Sequence, residues 1–264
     1  MRTTFRTLSA AFLAALFALA SCDKSDIAEN GVQQQTGGSR VIAVSFQNNS
    51  TKTILDTDGL TPKFVDGNEI KVANGTDEPE FCDVSVDGSG IATITTYLSG
   101  DLTAVYPASA AKMNGKAIDG ILVPTVQDGT FASANICKAT IKEGDTEAVF
   151  YNQTAVFKIT PDAGATYVDV IAPHHKVLAD YVPAGKVFDC DSYHKIHVSV
   201  TSTDPVYVSI QVPENLNLKS LNFVSNSGIK TLLSSDEVVS VNSLYTITSE
   251  NWSSRSIHSY VEID

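Results

Sequence analysis

The chain has 264 residues, with 18 Lys and Arg against 30 Asp and Glu, a formal net charge of −12. That balance excludes bulk electrostatic binding to nucleic acid or to an anionic surface. With 43% hydrophobic residues, 9 Tyr and 11 Phe, the chain is not globally disordered, and its length allows one large all-β domain or two of ordinary size.

Arg2 and Arg6 precede an apolar run that starts near Leu8 and ends in Leu19-Ala20-Ser21-Cys22. A basic start, a short apolar core and small residues at its end predict an export signal over residues 1–21, not a membrane span. The string Leu-Ala-Ser-Cys resembles the lipobox of bacterial lipoproteins. That resemblance implies acylation of Cys22 (palmitate), loss of residues 1–21 and attachment to the outer membrane through lipid. Residues 22–40 are polar, with Gln33-Gln34-Gln35 and Gly37-Gly38, and predict a flexible tether.

Beyond the tether the dominant period is two. Ile42, Val44 and Phe46 share one face of a strand over Val41–Phe46. Strands follow at Glu69–Val72 and at Val84–Val86 and Ile91–Ile94, which flank Asp87-Gly88-Ser89-Gly90 as a hairpin. Further strands are expected at Leu102–Tyr106, Gly120–Val123, Val149–Ile159, Tyr167–Ala172, Ile196–Val200, Val206–Val212, Leu216–Phe223 and Leu244–Thr248. In Val206–Val212 the apolar positions alternate with Tyr207, Ser209 and Gln211, as in a half-buried antiparallel strand. Many short strands with Gly, Asn and Asp punctuation predict an all-β protein of sandwich or barrel type. A boundary is expected in Lys142–Thr146, giving domains over 41–145 and 146–264.

No catalytic set is visible. There is no Gly-x-Ser-x-Gly elbow, no Gly-rich phosphate loop and no zinc-ligand spacing, so neither an enzyme activity nor a cofactor is expected. His174, His175, Asp189, Cys190, Asp191, His194 and His197 lie close in sequence. Alternating strand geometry sends His194 and His197 to opposite faces, so no metal site is expected. Cys82, Cys137 and Cys190 form no CxxC pair; one disulfide plus one free thiol is open in an oxidising compartment, and three buried thiols are the favoured reading.

Several short motifs occur in a fixed order: Thr51-Lys52-Thr53, Asp66-Gly67-Asn68-Glu69-Ile70-Lys71-Val72, Ala104-Val105-Tyr106-Pro107, Val123-Pro124-Thr125-Val126-Gln127, and the apolar stretch Phe150–Ile159. Together with the lipobox, this order resembles the fimbrillin family of Bacteroidales-type fimbriae. Phe64 stands where that family often carries Trp, and Asn68 where it carries Asp.

The resemblance implies two transthyretin-like Greek-key β-sandwiches in series, serving as a subunit of surface fimbriae in cell adhesion. It implies cutting by a trypsin-like protease after the first strand, and filling of the opened groove by a strand from a neighbouring subunit. The first strand would then carry Ile42, Val44 and Phe46, with Lys52 as the cut site and Arg40 as a second basic site before the strand. A donor strand would be Ser256–Ile263, with Ile257, Val261 and Ile263 on one face. The implied partners are other fimbrial subunits, in a homo- or hetero-polymer, the processing protease, and an unspecified host or bacterial surface ligand. The alternative is a surface lipoprotein that binds carbohydrate or protein and never polymerises.

Overall fold

The computed structural model describes residues 38–47, 62–173, 176–184, 193–226, 228–231 and 237–248. The signal segment, Cys22, Lys52, His174, His175, Asp189, Cys190, Asp191, Ile257, Val261 and Ile263 lie outside the described residues. What is described is nearly all β, as the period-two pattern requires.

The first core is enclosed by eight strands. These are β1 (Arg40–Phe46), β2 (Glu69–Ala73), β3 (Glu80–Asp83), β4 (Ser85–Val86), β5 (Ala92–Thr96) and β6 (Leu102–Tyr106), then, after other elements, β10 (Cys137–Ile141) and β11 (Glu147–Asn152). Their order across the sheet is β3-β2-β6-β10-β11-β1-β5-β4. The two ends of this sheet are one stretch of chain, since only Val84 separates β3 from β4. Val84 is buried, donates its N–H to the Asn68 carbonyl and accepts from the Gly67 N–H. Glu80 at the start of β3 accepts from the Thr96 hydroxyl at 2.6 Å and the Tyr97 N–H at 3.0 Å, beside the end of β5. The sheet therefore folds back on itself around Ile42, Val44, Phe46, Ile70, Ile94, Leu102, Ile141 and Phe150.

The Asp87–Gly90 hairpin forms as expected, with Ser85 opposite Thr93 and Val86 opposite Ala92. Its turn is closed by the Asp87 carboxylate, which accepts from the Ser89 and Ile91 N–H groups.

Between β6 and β10 lie the hairpin β7 (Ala111–Asn114) and β8 (Ala117–Ile121), the two-residue strand β9 (Val126–Gln127) and one helical turn, α1 (Phe131–Ala134). The chain continues through β12 (Ala155–Ile159), β13 (Tyr167–Ile171), β14 (Lys195–Ser199), β15 (Val206–Ile210), β16 (Asn222–Ser225), β17 (Gly228–Thr231) and β18 (Ser243–Ile247). A three-stranded sheet, β15-β12-β18, and a five-stranded sheet, β17-β16-β13-β14-β9, enclose a second core that includes Phe157, Ile159, Val168, Val170, Ile196, Val198, Val208, Ile210 and Phe223.

Three strand expectations are corrected. Val149–Ile159 is not one strand but β11 and β12. Asn152 breaks it by accepting from the Thr154 N–H at 2.7 Å and hydroxyl at 2.9 Å, a local turn that competes with the ladder. Gly120–Val123 is shifted: β8 ends at Ile121, and Val123 is buried in the second core. Leu216–Phe223 begins as a 3₁₀ turn over Leu218–Ser220. The Lys142–Thr146 stretch is the turn between β10 and β11, and both strands belong to the first sheet.

The second core draws on Ala73 of β2 and Val105 of β6 as well as on the segment between β6 and β10. β9 hydrogen-bonds alongside β14, with His197 opposite Val126, although it lies in sequence between strands of the first sheet. The Gln127 side chain acts as an added peptide group. Its amide donates to the Ser209 carbonyl at 2.7 Å and accepts from the Ser209 N–H at 2.9 Å. Ser209 is accordingly buried, so the polar face of β15 does not meet solvent at this position as the alternation implied. Gln127→Ala leaves the buried Ser209 backbone pair without partners. We expect a loss of about 1–3 kcal/mol in urea unfolding; a change within the error of the midpoint would remove this clamp from the account.

Candidate functional site

The site is the bed of β1. Alternation puts Ile42, Val44 and Phe46 on the core face, all three buried, while Val41 and Ser45 face out. β1 runs antiparallel to β5, with Ile42 opposite Ile94, and parallel to β11, with Phe46 opposite Phe150. Both of its edges are paired, and Gln47 extends the second ladder by donating to the Phe150 carbonyl at 2.9 Å.

Each fully buried side chain of this size contributes about 1.5–3 kcal/mol, so three of them together approach the whole stability of a small domain. A body deprived of β1 without replacement would not keep its fold. A replacement strand must supply both the ladder and the plugs.

Phe46 ends the strand in an aromatic cage. Its ring stacks on Phe64 with centroids 4.0 Å apart and meets Tyr106 at 5.6 Å and Phe150 at 6.5 Å, both edge-on. Phe64 in turn packs edge-on to Tyr106 at 5.2 Å and Phe150 at 5.4 Å. Edge-to-face geometry of this kind adds to simple area burial. Sequence reasoning named Ile42, Val44 and Phe46 but not the cage. The available signal was that Phe64, Tyr106 and Phe150 each lie in or beside one of the ordered motifs.

Arg40 opens β1. Its guanidinium donates to the Gly100 carbonyl at 2.9 Å and the Lys142 carbonyl at 3.0 Å. Beside it Lys142 pairs with Asp101 at 2.7 Å, and this hydrogen bond to Lys142 holds the Asp101 carboxyl below its ordinary pKa.

A second polar group lies on β13 and β14. Asp169 contacts His197 Nδ1 at 2.7 Å and Lys195 Nζ at 2.9 Å, and the Tyr167 ring stacks on His197. Ser199 Oγ lies 3.5 Å from His197 Nε2, the outer limit of a hydrogen bond. Hydrogen bonding to Asp169 orients the imidazole, and Lys195 balances the carboxylate. His194 directly precedes β14, and its carbonyl accepts from the Ala172 N–H at 3.0 Å. Among the described residues no three His, Cys, Asp or Glu side chains are grouped to hold a metal ion.

Cys82 and Cys137 are buried free thiols. Burial pushes the Cys82 thiol up to about 12 and the Cys137 thiol higher still. At pH 8 neither supplies thiolate while folded, so alkylation of the native protein should label neither position, and both should react in urea. Above a pH of about 9, where an unfolded thiol ionises, these two raised groups favour the unfolded chain and stability falls.

No protein-family model matches the chain, and no curated protein matches it. Solved structures do. A protein from Bacteroides ovatus assigned to cell adhesion is 12% identical, covers 81% of this chain and 92% of its own, and superposes with a TM-score of 0.40. A fimbrial protein from the same species is also 12% identical and covers 81% of this chain and 48% of its own, with a TM-score of 0.40. A fimbrial assembly protein from Parabacteroides distasonis is 12% identical and covers 80% of this chain and 90% of its own, with a TM-score of 0.37. The chain is similar in structure to adhesion and fimbrial proteins of Bacteroidales. Likenesses this distant carry no residue roles across.

Proposed function

We propose that the chain is a structural subunit of a surface fimbria, delivered as a lipoprotein through Cys22 and assembled by replacement of β1. The observation that supports this is the position of β1. It is a central strand, paired on both edges, carrying three core plugs, and it is joined to the rest of the body through one polar stretch that contains Lys52.

Cutting after Lys52 severs β1 from the body. Cutting after Arg40 leaves β1 in place. Arg40 is also engaged through its guanidinium, so a trypsin-like protease must first pull it from the Gly100 and Lys142 carbonyls. Lys52 is therefore the productive cut and Arg40 the slower one. The freed bed is lined by a row of unpaired main-chain groups on β5 and β11, which an incoming strand completes. The segment Ser256–Ile263, with Ile257, Val261 and Ile263, is the strand offered onward to another subunit. The two cores form two sandwich-like bodies in series, and the role of the assembly is adhesion at the cell surface.

The test is limited trypsin digestion of the purified chain, with N-terminal sequencing and sizing of the product. A new N-terminus at Thr53 together with oligomers is expected. A trypsin-resistant monomer would favour a non-polymerising surface lipoprotein that binds carbohydrate or protein.

A further inference from the structure

The geometry points to an aromatic-specific subsite at one end of the β1 groove, so that its occupant is an extended segment, other than Ser256–Ile263, with aliphatic, aliphatic and aromatic side chains at alternate positions. This inference rests on the replacement of β1 proposed above.

The walls of the subsite stay with the body. Phe64, Tyr106 and Phe150 all follow Lys52 in the chain, whereas Phe46 precedes it. The contacts of Phe64 to Tyr106 and Phe150 do not involve Phe46, so the three rings together shape the place that Phe46 or its replacement occupies. A flat ring fits it, as Phe46 does by stacking on Phe64 at 4.0 Å. A branched aliphatic side chain fills less of that volume and forfeits the stacking and edge contacts.

The other two subsites are aliphatic. Ile42 is fully buried beside Ile94, and Val44 is buried opposite Ala92 and Ala148. The groove therefore reads aliphatic-x-aliphatic-x-aromatic in the direction of β11.

Segment Ser256–Ile263 does not match this reading in any register. With Ile263 in the aromatic slot, Val261 takes the Val44 site and Ser259 falls on the Ile42 site, a hydroxyl in a dry core. With Val261 in the slot, Ser259 falls on the Val44 site. Tyr260 has the opposite parity, with His258 and Ser256 at the aliphatic positions. That segment is suited to a groove other than this one.

Peptide exchange tests this without altering the body. A full chain with a specific-protease site inserted after Thr51 is cut there and mixed with synthetic peptides, and native mass spectrometry follows displacement of the N-terminal fragment. A copy of residues 40–46 should displace the fragment. The same peptide carrying Phe46→Ala should need at least about a hundredfold more, the scale of a buried Phe truncation. A peptide of residues 256–263 should need at least about tenfold more than the copy of 40–46. Equal potency of the Phe and Ala peptides, or a superior 256–263 peptide, would overturn the aromatic subsite and leave strand replacement standing. Failure of every peptide, the copy of 40–46 included, would overturn both.

Discussion

Ile42→Asp should be severely destabilising. Ile42 is fully buried at the centre of β1, and among the described residues the first core around it is built from aliphatic, aromatic and cysteine side chains. A carboxylate there must be ionised without a partner or protonated at a cost, and the site loses the isoleucine as well. The expected loss exceeds about 4 kcal/mol, a large part of the stability of a domain this size. The control is one residue away. Val41 is 59% exposed on the opposite face, so Val41→Asp should shift stability by no more than about 0.5 kcal/mol. Urea unfolding followed by circular dichroism reads both variants. Equal effects at the two positions would mean that β1 does not present alternate faces to core and solvent, and the groove would lose its basis.

The second large effect is expected at Gly129, far from β1. This residue has φ +78°, a left-handed conformation that glycine adopts freely. A Cβ there would lie 2.8 Å from Val198 Cγ1 and 3.2 Å from Val206 Cγ1, inside the second core. Gly129→Ala meets both penalties at once, backbone strain and overpacking, for a total of about 3 kcal/mol. That corresponds to a fall in Tm of about 6–12 °C in thermal unfolding. A fall of less than about 2 °C would show that the 123–135 segment is loosely laid on the second core. The Tyr207 N–H donates to the Gly129 carbonyl, and the Phe131 ring packs edge-on to Tyr207, so the segment is anchored at the glycine and just after it.

These two positions mark what the sequence reveals and what it hides. The strict alternation of Ile42, Val44 and Phe46 reads directly as a one-sided strand, because side-chain direction in a strand depends only on parity. The Asp87–Gly90 turn is equally legible, since its closing hydrogen bonds are local. β10 is not legible in the same way. Cys137, Ala139 and Ile141 alternate with Lys138 and Thr140, a weak pattern of small residues that its buried neighbours on β6 and β11 convert into a strand.

Long-range pairing is hidden further still. Nothing near Val126 and Gln127 indicates that they complete the edge of a sheet formed some 70 residues later, or that the Gln127 amide will pair with the backbone of Ser209. The aromatic cage is of the same kind. Phe46, Phe64, Tyr106 and Phe150 come from four separate stretches, and their meeting is a property of the closed sheet, not of any one motif. The hydroxyl of Ser209 shows the reverse error. Parity places it on a polar face, and only the tertiary contact removes it from water.

The replaceability of β1 is tested most directly by the composition of assemblies formed after cutting at Lys52. Native mass spectrometry of the cut chain weighs each species. Strand replacement predicts that every assembly larger than a monomer lacks the N-terminal fragment that carries Ile42, Val44 and Phe46. Assemblies that retain one N-terminal fragment per body, or a cut chain that stays monomeric with the fragment bound under all partner conditions, would contradict it.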